Sequence, residues 1–214
     1  MLQHVFERAS SARYLSKVII ATDDDRIASA ARGFRANVRM TRSDHPTGTD
    51  RVAEVASAEA ADLVINIQGD EPLIDPDAID AAVLALLDDP DVPMGTLKKK
   101  IEHPEEITNP NVVKVVTDLH GNAIYFSRSP IPYCREGTSN LYKHIGLYVY
   151  RRDFLLAYSG FPAGPLEKAE KLEQLRALEN GHAIRVVETE YESLGVDTFA
   201  DLERVSRLFA LPAQ

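Results

Sequence analysis

The sequence predicts an α/β protein with a doubly wound, mostly parallel sheet and a β-hairpin arm. Short β-branched runs alternate with helix-period segments through the first half of the chain. An apolar run at 62–68 stops at Gly and Pro, as strands buried on both faces do at the carboxyl edge of an open sheet. The second half turns to strands joined by a tight polar turn.

The elements follow in order. Leu2, Val5, Phe6 and Ala9 recur at helical spacing, residues 17–22 (K-V-I-I-A-T) form a short strand, and 23–31 is a helix behind an Asp cap. Residues 37–40 are a second strand, 50–60 an alanine-rich helix, 62–68 the apolar strand, and 76–87 a helix with Pro in its first turn. Strands are expected at 94–101, 112–117 and 123–126, with a turn at 118–122 closing a hairpin of the kind that often pairs subunits. A strand at 142–150, helices at 152–158 and 165–179, a strand at 183–188 and a closing helix at 198–209 complete the chain. A doubly wound sheet normally opens with a central strand, whereas Met1 leads directly into a helix.

Bulk properties narrow the function. At 214 residues and 44% hydrophobic content, one domain over 1–214 is expected. The net charge of -9 argues against nucleic acid, because any phosphate contact must be a local pocket. Cys134, the only cysteine, excludes an intramolecular disulfide and any multi-cysteine metal site. The start lacks the charged and apolar regions of a secretion signal and no stretch reaches membrane-span length, so a cytoplasmic protein with no membrane contact is expected.

Several polar segments have two readings each. Q-G-D-E-P at 68–72 is a Gly-Asp turn before a helix, or a place where Gly69 admits a ligand and Asp70 holds magnesium against phosphates. T-R-S-D-H-P-T-G-T-D-R at 41–51 is a loop capped by Thr49, or a hydroxyl-rich helix entry that meets a base, ribose or anion, which Arg51 favours. Y-F-S-R-S-P-I-P at 125–132 places Arg128 at the surface or poises it for bidentate pairing with an acid. His144 starts a strand as a structural or a functional histidine. Glu167 and Glu170 share one helix face, pairing with Lys or accepting sugar hydroxyls. Asp197 caps the last helix or joins Asp70 as a second metal carboxylate.

Together, Q-G-D-E-P-L-I, T-R-S-D-H-P-T-G-T-D-R, N-P-N-V-V-K-V-V, Y-F-S-R-S-P-I-P, K-H-I-G-L-Y-V-Y-R, P-L-E-K-A-E-K-L-E-Q-L-R-A-L and G-V-D-T-F-A-D-L-E-R-V resemble the 3-deoxy-manno-octulosonate (Kdo) cytidylyltransferases, the CMP-Kdo synthetases. The likeness runs in order over nearly the whole chain. It implies transfer of CMP from CTP to Kdo with release of pyrophosphate, for lipopolysaccharide synthesis, by in-line attack of the sugar hydroxyl with Mg²⁺ on the phosphates. It further implies Asp70 and Asp197 as metal ligands, Thr47, Gly48, Arg51, Gln68 and Gly69 facing the nucleotide, and Arg128, His144, Tyr148, Glu167, Glu170 and Gln174 on the sugar side. Arg128 is the expected partner of the sugar carboxylate and, with the two aspartates, the catalytic set. A homodimer is implied as well.

The family also opens with a strand and a loop of the kind I-P-A-R-x-x-S-x-R-L-P-G-K-P-L, whose Arg and Lys hold the triphosphate, and this chain begins after it. The resemblance thus implies that about 25 residues are absent and that the sheet lacks a central strand. A start placed too late is the favoured explanation, since the remaining motifs are intact; a shortened chain that binds without turnover is the other. Cytidylyl transfer to a different acidic sugar, sialic acid or 8-amino-Kdo, is the rival activity.

Overall fold

A computed structural model describes residues 1–136 and 140–210. Its elements are α1 (Leu2–Ala9), β1 (Ile19–Thr22), α2 (Asp25–Gly33), β2 (Asn37–Met40), α3 (Gly48–Ser57), β3 (Leu63–Asn66), α4 (Pro76–Leu87), β4 (Met94–Lys100), α5 (Pro104–Thr108), β5 (Lys114–Thr117), β6 (Ala123–Ser127), β7 (Tyr142–Arg151), α6 (Arg152–Tyr158), α7 (Pro165–Glu170), α8 (Leu175–Glu179), β8 (Ile184–Glu188) and α9 (Phe199–Ala210). The α/β class is as the sequence predicts, and the expected elements appear in the expected order with the exceptions given below. Among the described residues no helix is long and apolar enough to cross a membrane.

Two sheets form. β1 and β2 pair in parallel, and a six-stranded sheet runs β6-β5-β7-β4-β8 with β3 on the other part of β7. β4 and β8 are parallel, whereas β7 lies antiparallel to β3, β4 and β5. The larger sheet is therefore mixed, and the hairpin of β5 and β6 extends its edge. The Asp118 carboxylate holds the hairpin turn by accepting the amides of His120 and Asn122, both at 2.8 Å, and Gly121 supplies the left-handed residue at φ 81°.

The core has two apolar layers. One packs Val5 and Ala9 of α1, Ile79, Ala82, Val83 and Leu86 of α4 and Leu97, Ile145, Leu147 and Val149 of the sheet. The other packs Ala53 and Ala56 of α3 with Phe126, Tyr150, Leu155, Tyr158 and Leu175. β3 alternates between them, with Leu63 and Ile65 on the first and Val64 on the second, the period-2 pattern of a strand covered on both faces. β1 and β3 do not pair, and a cleft of about 610 Å³ separates them.

Several boundaries depart from expectation for identifiable reasons. The helix expected over 165–179 is two helices, because Lys171 turns left-handed at φ 55°. Glu179 then folds back to accept the amides of Leu166 and Glu167, both at 2.9 Å; a continuous helix would hold it about 20 Å away. α3 starts two residues early, and Thr47, not Thr49, is its cap, accepting the Asp50 amide at 3.2 Å. Asp24 caps α2, which leaves Asp23 to pair with Arg51 at 3.2 Å. The last helix is capped by Thr198, whose hydroxyl accepts the Asp201 amide at 3.2 Å while Asp201 accepts the Thr198 amide at 2.9 Å, and Asp197 stays outside the cap. The short α5, opened by Pro104, was not expected.

Leu97 is fully buried where β4 crosses the first layer. Leu97→Ala is expected to lower unfolding free energy by about 2–5 kcal/mol in urea melts, through lost transfer energy and the cavity left behind.

Candidate active site

The loop that ends β3 is sewn to the segment before α9. Val196 donates its amide to the Asp70 carbonyl at 3.0 Å, and the buried Glu71 carboxylate accepts the Tyr191 hydroxyl at 3.0 Å. Burial pushes the Glu71 carboxyl upward, opposed by hydrogen bonds from Ser193 and Tyr191. These contacts bring the Asp70 and Asp197 segments together, as the sequence suggests. Their charged side chains stay accessible, with Asp70 half-buried and Asp197 exposed.

Among the described residues, no three His, Cys, Asp or Glu side chains gather into a closed metal cage. What the junction offers is two carboxylates with hard oxygen donors. Mg²⁺ is usually held by one or two carboxylates, with water and substrate phosphates completing its shell, so this donor set suits it.

The polar loop at 41–47 is fixed on the next helix. Glu54 accepts the Arg42 amide at 3.2 Å and meets His45 Nε2, so that the imidazole holds its carboxyl below the usual range. The Arg51 guanidinium binds the Thr41 hydroxyl and Asp23, which ties α3 to the loop and to the end of β1. The Thr47 hydroxyl stands 2.8 Å from Asp50 and 3.2 Å from Glu173, and the Thr49 hydroxyl donates to Glu173 at 3.1 Å. Glu173 is pushed upward by burial. It links the helix entry to the chain between α7 and α8.

Beneath that link lies a small cavity of about 130 Å³ lined by Gly48, Thr49, Asn66, Gln68, Tyr148, Tyr150, Tyr158, Glu173 and Gln174. Gln174 is 4% exposed, and its amide nitrogen has no hydrogen-bond partner. An unsatisfied buried donor in a polar cavity is costly unless a ligand or water meets it. Gly48, Gln68, Tyr148 and Gln174 of the expected set thus converge here.

The other sugar-side candidates are engaged within the protein. Arg128 donates from Nε to the Glu170 carbonyl and from Nη1 to the Pro110 carbonyl, both at 2.8 Å, so its guanidinium is tied to α7 and to the loop before β5. Glu170 accepts the Ser127 hydroxyl at 2.6 Å and the Arg128 amide at 2.9 Å. Glu167 makes a two-pronged pair with Arg176 at 2.9 and 2.6 Å. His144 has Nε2 at 2.9 Å from the Thr96 hydroxyl and an edge contact with Phe126, and desolvation pushes its pKa down to about 3, so the ring is neutral. It still lies against Tyr148, ring centres 5.4 Å apart, because a bulge at Thr96 and Leu97 shifts the register of β7.

Thr49, Asn66, Tyr150, Tyr158 and Glu173 went unanticipated. Thr49 and Glu173 flank the predicted Gly48 and Gln174, and Tyr150 is two residues beyond Tyr148 on the strand, so adjacency to predicted residues is the one signal that could have found these three.

A family model described as cytidylyltransferase matches residues 1–186. A 3-deoxy-manno-octulosonate cytidylyltransferase of Solibacter usitatus is 71% identical over 211 residues, covering 98% of this chain and 84% of that protein. One of Geobacter sulfurreducens is 58% identical, covering 96% of this chain and 87% of that protein. A solved CMP:2-keto-3-deoxy-manno-octonic acid synthetase complexed with CTP matches with a TM-score of 0.94 at 44% identity, over 98% of this chain and 87% of that one.

Glu71→Ala is expected to cost about 1–3 kcal/mol in urea melts, because the Tyr191 hydroxyl loses its buried acceptor. The pH dependence has a defined sign. A carboxyl raised by burial binds its proton more tightly in the folded chain, so its contribution favours folding at low pH and is lost as pH rises from the ordinary 4.5 through the raised value. Glu71→Gln should remove that fall, so the stability of the variant relative to the parent should increase with pH.

Proposed function

The chain belongs to the cytidylyltransferase family, and from that premise we propose that it transfers CMP from CTP to Kdo, releasing pyrophosphate and making CMP-Kdo for lipopolysaccharide synthesis. The observation that carries this reading is the junction of the Asp70 loop with the Val196 segment past the carboxyl end of β3, where Asn66 and Gln68 line the polar cavity. The CTP complex of the 44% identical structure supports the nucleotide, and the names of the relatives support the sugar.

In this reading Asp70 and Asp197 hold Mg²⁺ against the phosphates, where it would neutralise charge and acidify the attacking hydroxyl. Thr47 and Gly48 present the start of α3, Gln68 and Gly69 end the β3 edge, and Arg51 lines the rim, together forming the nucleotide side. Tyr148 and Gln174 face the sugar, with the Gln174 amide donating to a hydroxyl or to the acid. Arg128, His144, Glu167 and Glu170 shape the sugar wall: the first and last lock the loop after β6 to α7, and Glu167 holds Arg176 over Tyr158. We assign the hairpin of β5 and β6 to a homodimer, on which Leu119 and Ile124 stand exposed, and the enzyme to the cytoplasm.

The test is pyrophosphate release from CTP with Kdo and Mg²⁺, with sialic acid and 8-amino-Kdo run beside it. Kdo is expected to be preferred, and preference for another sugar would overturn the substrate assignment. Asp70→Asn should lower kcat by about 10²–10³-fold with the fold intact by circular dichroism. Gln174→Leu should raise KM for Kdo by about tenfold while KM for CTP changes little, since one hydrogen bond to substrate is worth about 1.4 kcal/mol here. A second reading, binding without turnover, is favoured by the open β1 and β3 edges beside the site. Calorimetric binding of CMP-Kdo with no pyrophosphate release would establish it.

A further inference from the structure

Three carbonyls of one exposed turn are held by two cations. The N-P-N-V segment at 109–112 leads into β5, and its residues Asn109, Pro110 and Asn111 are exposed. Lys114 donates from Nζ to the Asn109 carbonyl at 2.9 Å and to the Val112 carbonyl, and Arg128 donates from Nη1 to the Pro110 carbonyl at 2.8 Å. The turn also closes on itself. The Asn111 amide meets Asn109 Oδ1 at 2.9 Å, and the Val112 amide meets the Asn109 carbonyl at 3.1 Å. Strand register makes the two cations neighbours, since Lys114 pairs with Ser127, the residue before Arg128.

The carbonyls themselves do not require Lys114. An exposed turn can satisfy its carbonyls with water, whereas lysine is almost never fully buried, and Lys114 is 0% exposed. Burial pushes its ammonium below the ordinary value, and Arg128 pushes the same way against the opposing pull of Glu170. An apolar side chain of similar volume would avoid both costs. What it would lose is direction. An ammonium joined to carbonyls on either side of Pro110 fixes the peptide between them, and the Pro110 carbonyl is the acceptor that holds Nη1 of Arg128. The Glu170 carbonyl holds Nε of the same guanidinium at 2.8 Å. A guanidinium is a rigid planar fork, so these two anchors, one on α7 and one on the turn, orient its remaining Nη2 edge.

We propose that Lys114 is a positioning residue for the acidic sugar: through the N-P-N turn it sets the guanidinium of Arg128, an inference that rests on Arg128 belonging to the sugar wall of a cytidylyltransferase acting on Kdo. Lys114 is sealed from solvent and acts only through the turn. Affinity for the sugar therefore depends on a side chain that does not touch it, and affinity for CTP does not. The N-P-N-V-V-K-V-V segment, which no step of the transfer otherwise uses, has its task in this arrangement.

The test compares Lys114→Met, Arg128→Met and the double variant with the parent, each checked by circular dichroism, in pyrophosphate release with Kdo and CTP varied in turn. Lys114→Met is expected to raise KM for Kdo about tenfold and to leave KM for CTP within about twofold, since misplacing one positioning group acts on its own ligand. The double variant should show no larger a rise than Arg128→Met alone, because two residues that act through one contact are not additive. A second readout needs no turnover: the Arg128 Nε–H, observed by NMR, should exchange about tenfold faster with water in Lys114→Met than in the parent. Asn109→Ala removes the acceptor of the Asn111 amide and loosens the same turn from its exposed side, so it decides where Lys114→Met fails to fold; both readouts should move by about threefold. Additive effects, equal rises in the two KM values or unchanged Arg128 exchange overturn the positioning role. A parent that releases no pyrophosphate overturns the transferase reading and the sugar dependence with it, while the exchange measurement still decides whether Lys114 sets Arg128.

Discussion

The structure depends on one long strand. β7 pairs antiparallel with β3 through Leu63 to Asn66, with β4 along its length and with β5 at Lys114, so the register of the main sheet is taken from it. A one-residue slip there would exchange the faces of Ile145, Leu147 and Val149, which are buried in the first apolar layer. The bulge opposite Thr96 lets one strand serve both its neighbours and the site. The Thr96 hydroxyl lies 2.8 Å from the Leu147 carbonyl and 3.1 Å from that of Ile145, filling the irregularity with polar contacts. Tyr148 and Tyr150 are thereby aimed at the small cavity.

Buried and half-buried carboxylates perform the corresponding task for the loops. Glu71, Glu173, Glu170 and Glu179 each accept from a segment distant in sequence or across a turn, and each joins two pieces of irregular chain. Such a side chain sacrifices solvation and regains it from several donors. It remains ionised where the donors outweigh burial, as at Glu170, which is held below the usual carboxylate range. Where burial dominates, as at Glu71 and Glu173, the carboxyl is pushed upward. The site is therefore held by groups that themselves titrate.

The legible part of this architecture was local. Apolar periodicity placed the helix Pro76–Leu87 to the residue, since propensity, the Asp75 cap and burial agree there; the strand Asn37–Met40 also falls as expected, although three of its four residues are exposed. The break at Lys171 was invisible because E-K-L-E-Q-L-R keeps helical composition, and it is the distant closure of Glu179 on α7 that favours two short helices. The antiparallel course of β7 was likewise hidden, since composition does not encode strand direction. Of the candidate site, Gln68 of the Q-G-D segment and Tyr148 of the K-H-I-G-L-Y segment line the small cavity, whereas His144 is engaged with Thr96. Glu173 did not stand out, because its partners Thr47 and Thr49 lie over a hundred residues earlier.

The two sheets differ in how they are anchored, and the candidate site lies on that boundary. The main sheet is bound through β7 and two apolar layers. The β1 and β2 pair reaches the rest through α1, α3 and ion pairs such as Lys17 and Arg39 with Glu59, in which the basic partners are exposed. Exposed pairs of this kind contribute little, typically under about 1 kcal/mol each. Arg51 spans the rim from α3 to Asp23, and Gln68 ends the opposite edge. The proposed nucleotide side of the site therefore spans both sheets, whereas the proposed sugar side, built on β7 and α8, rests on the second apolar layer.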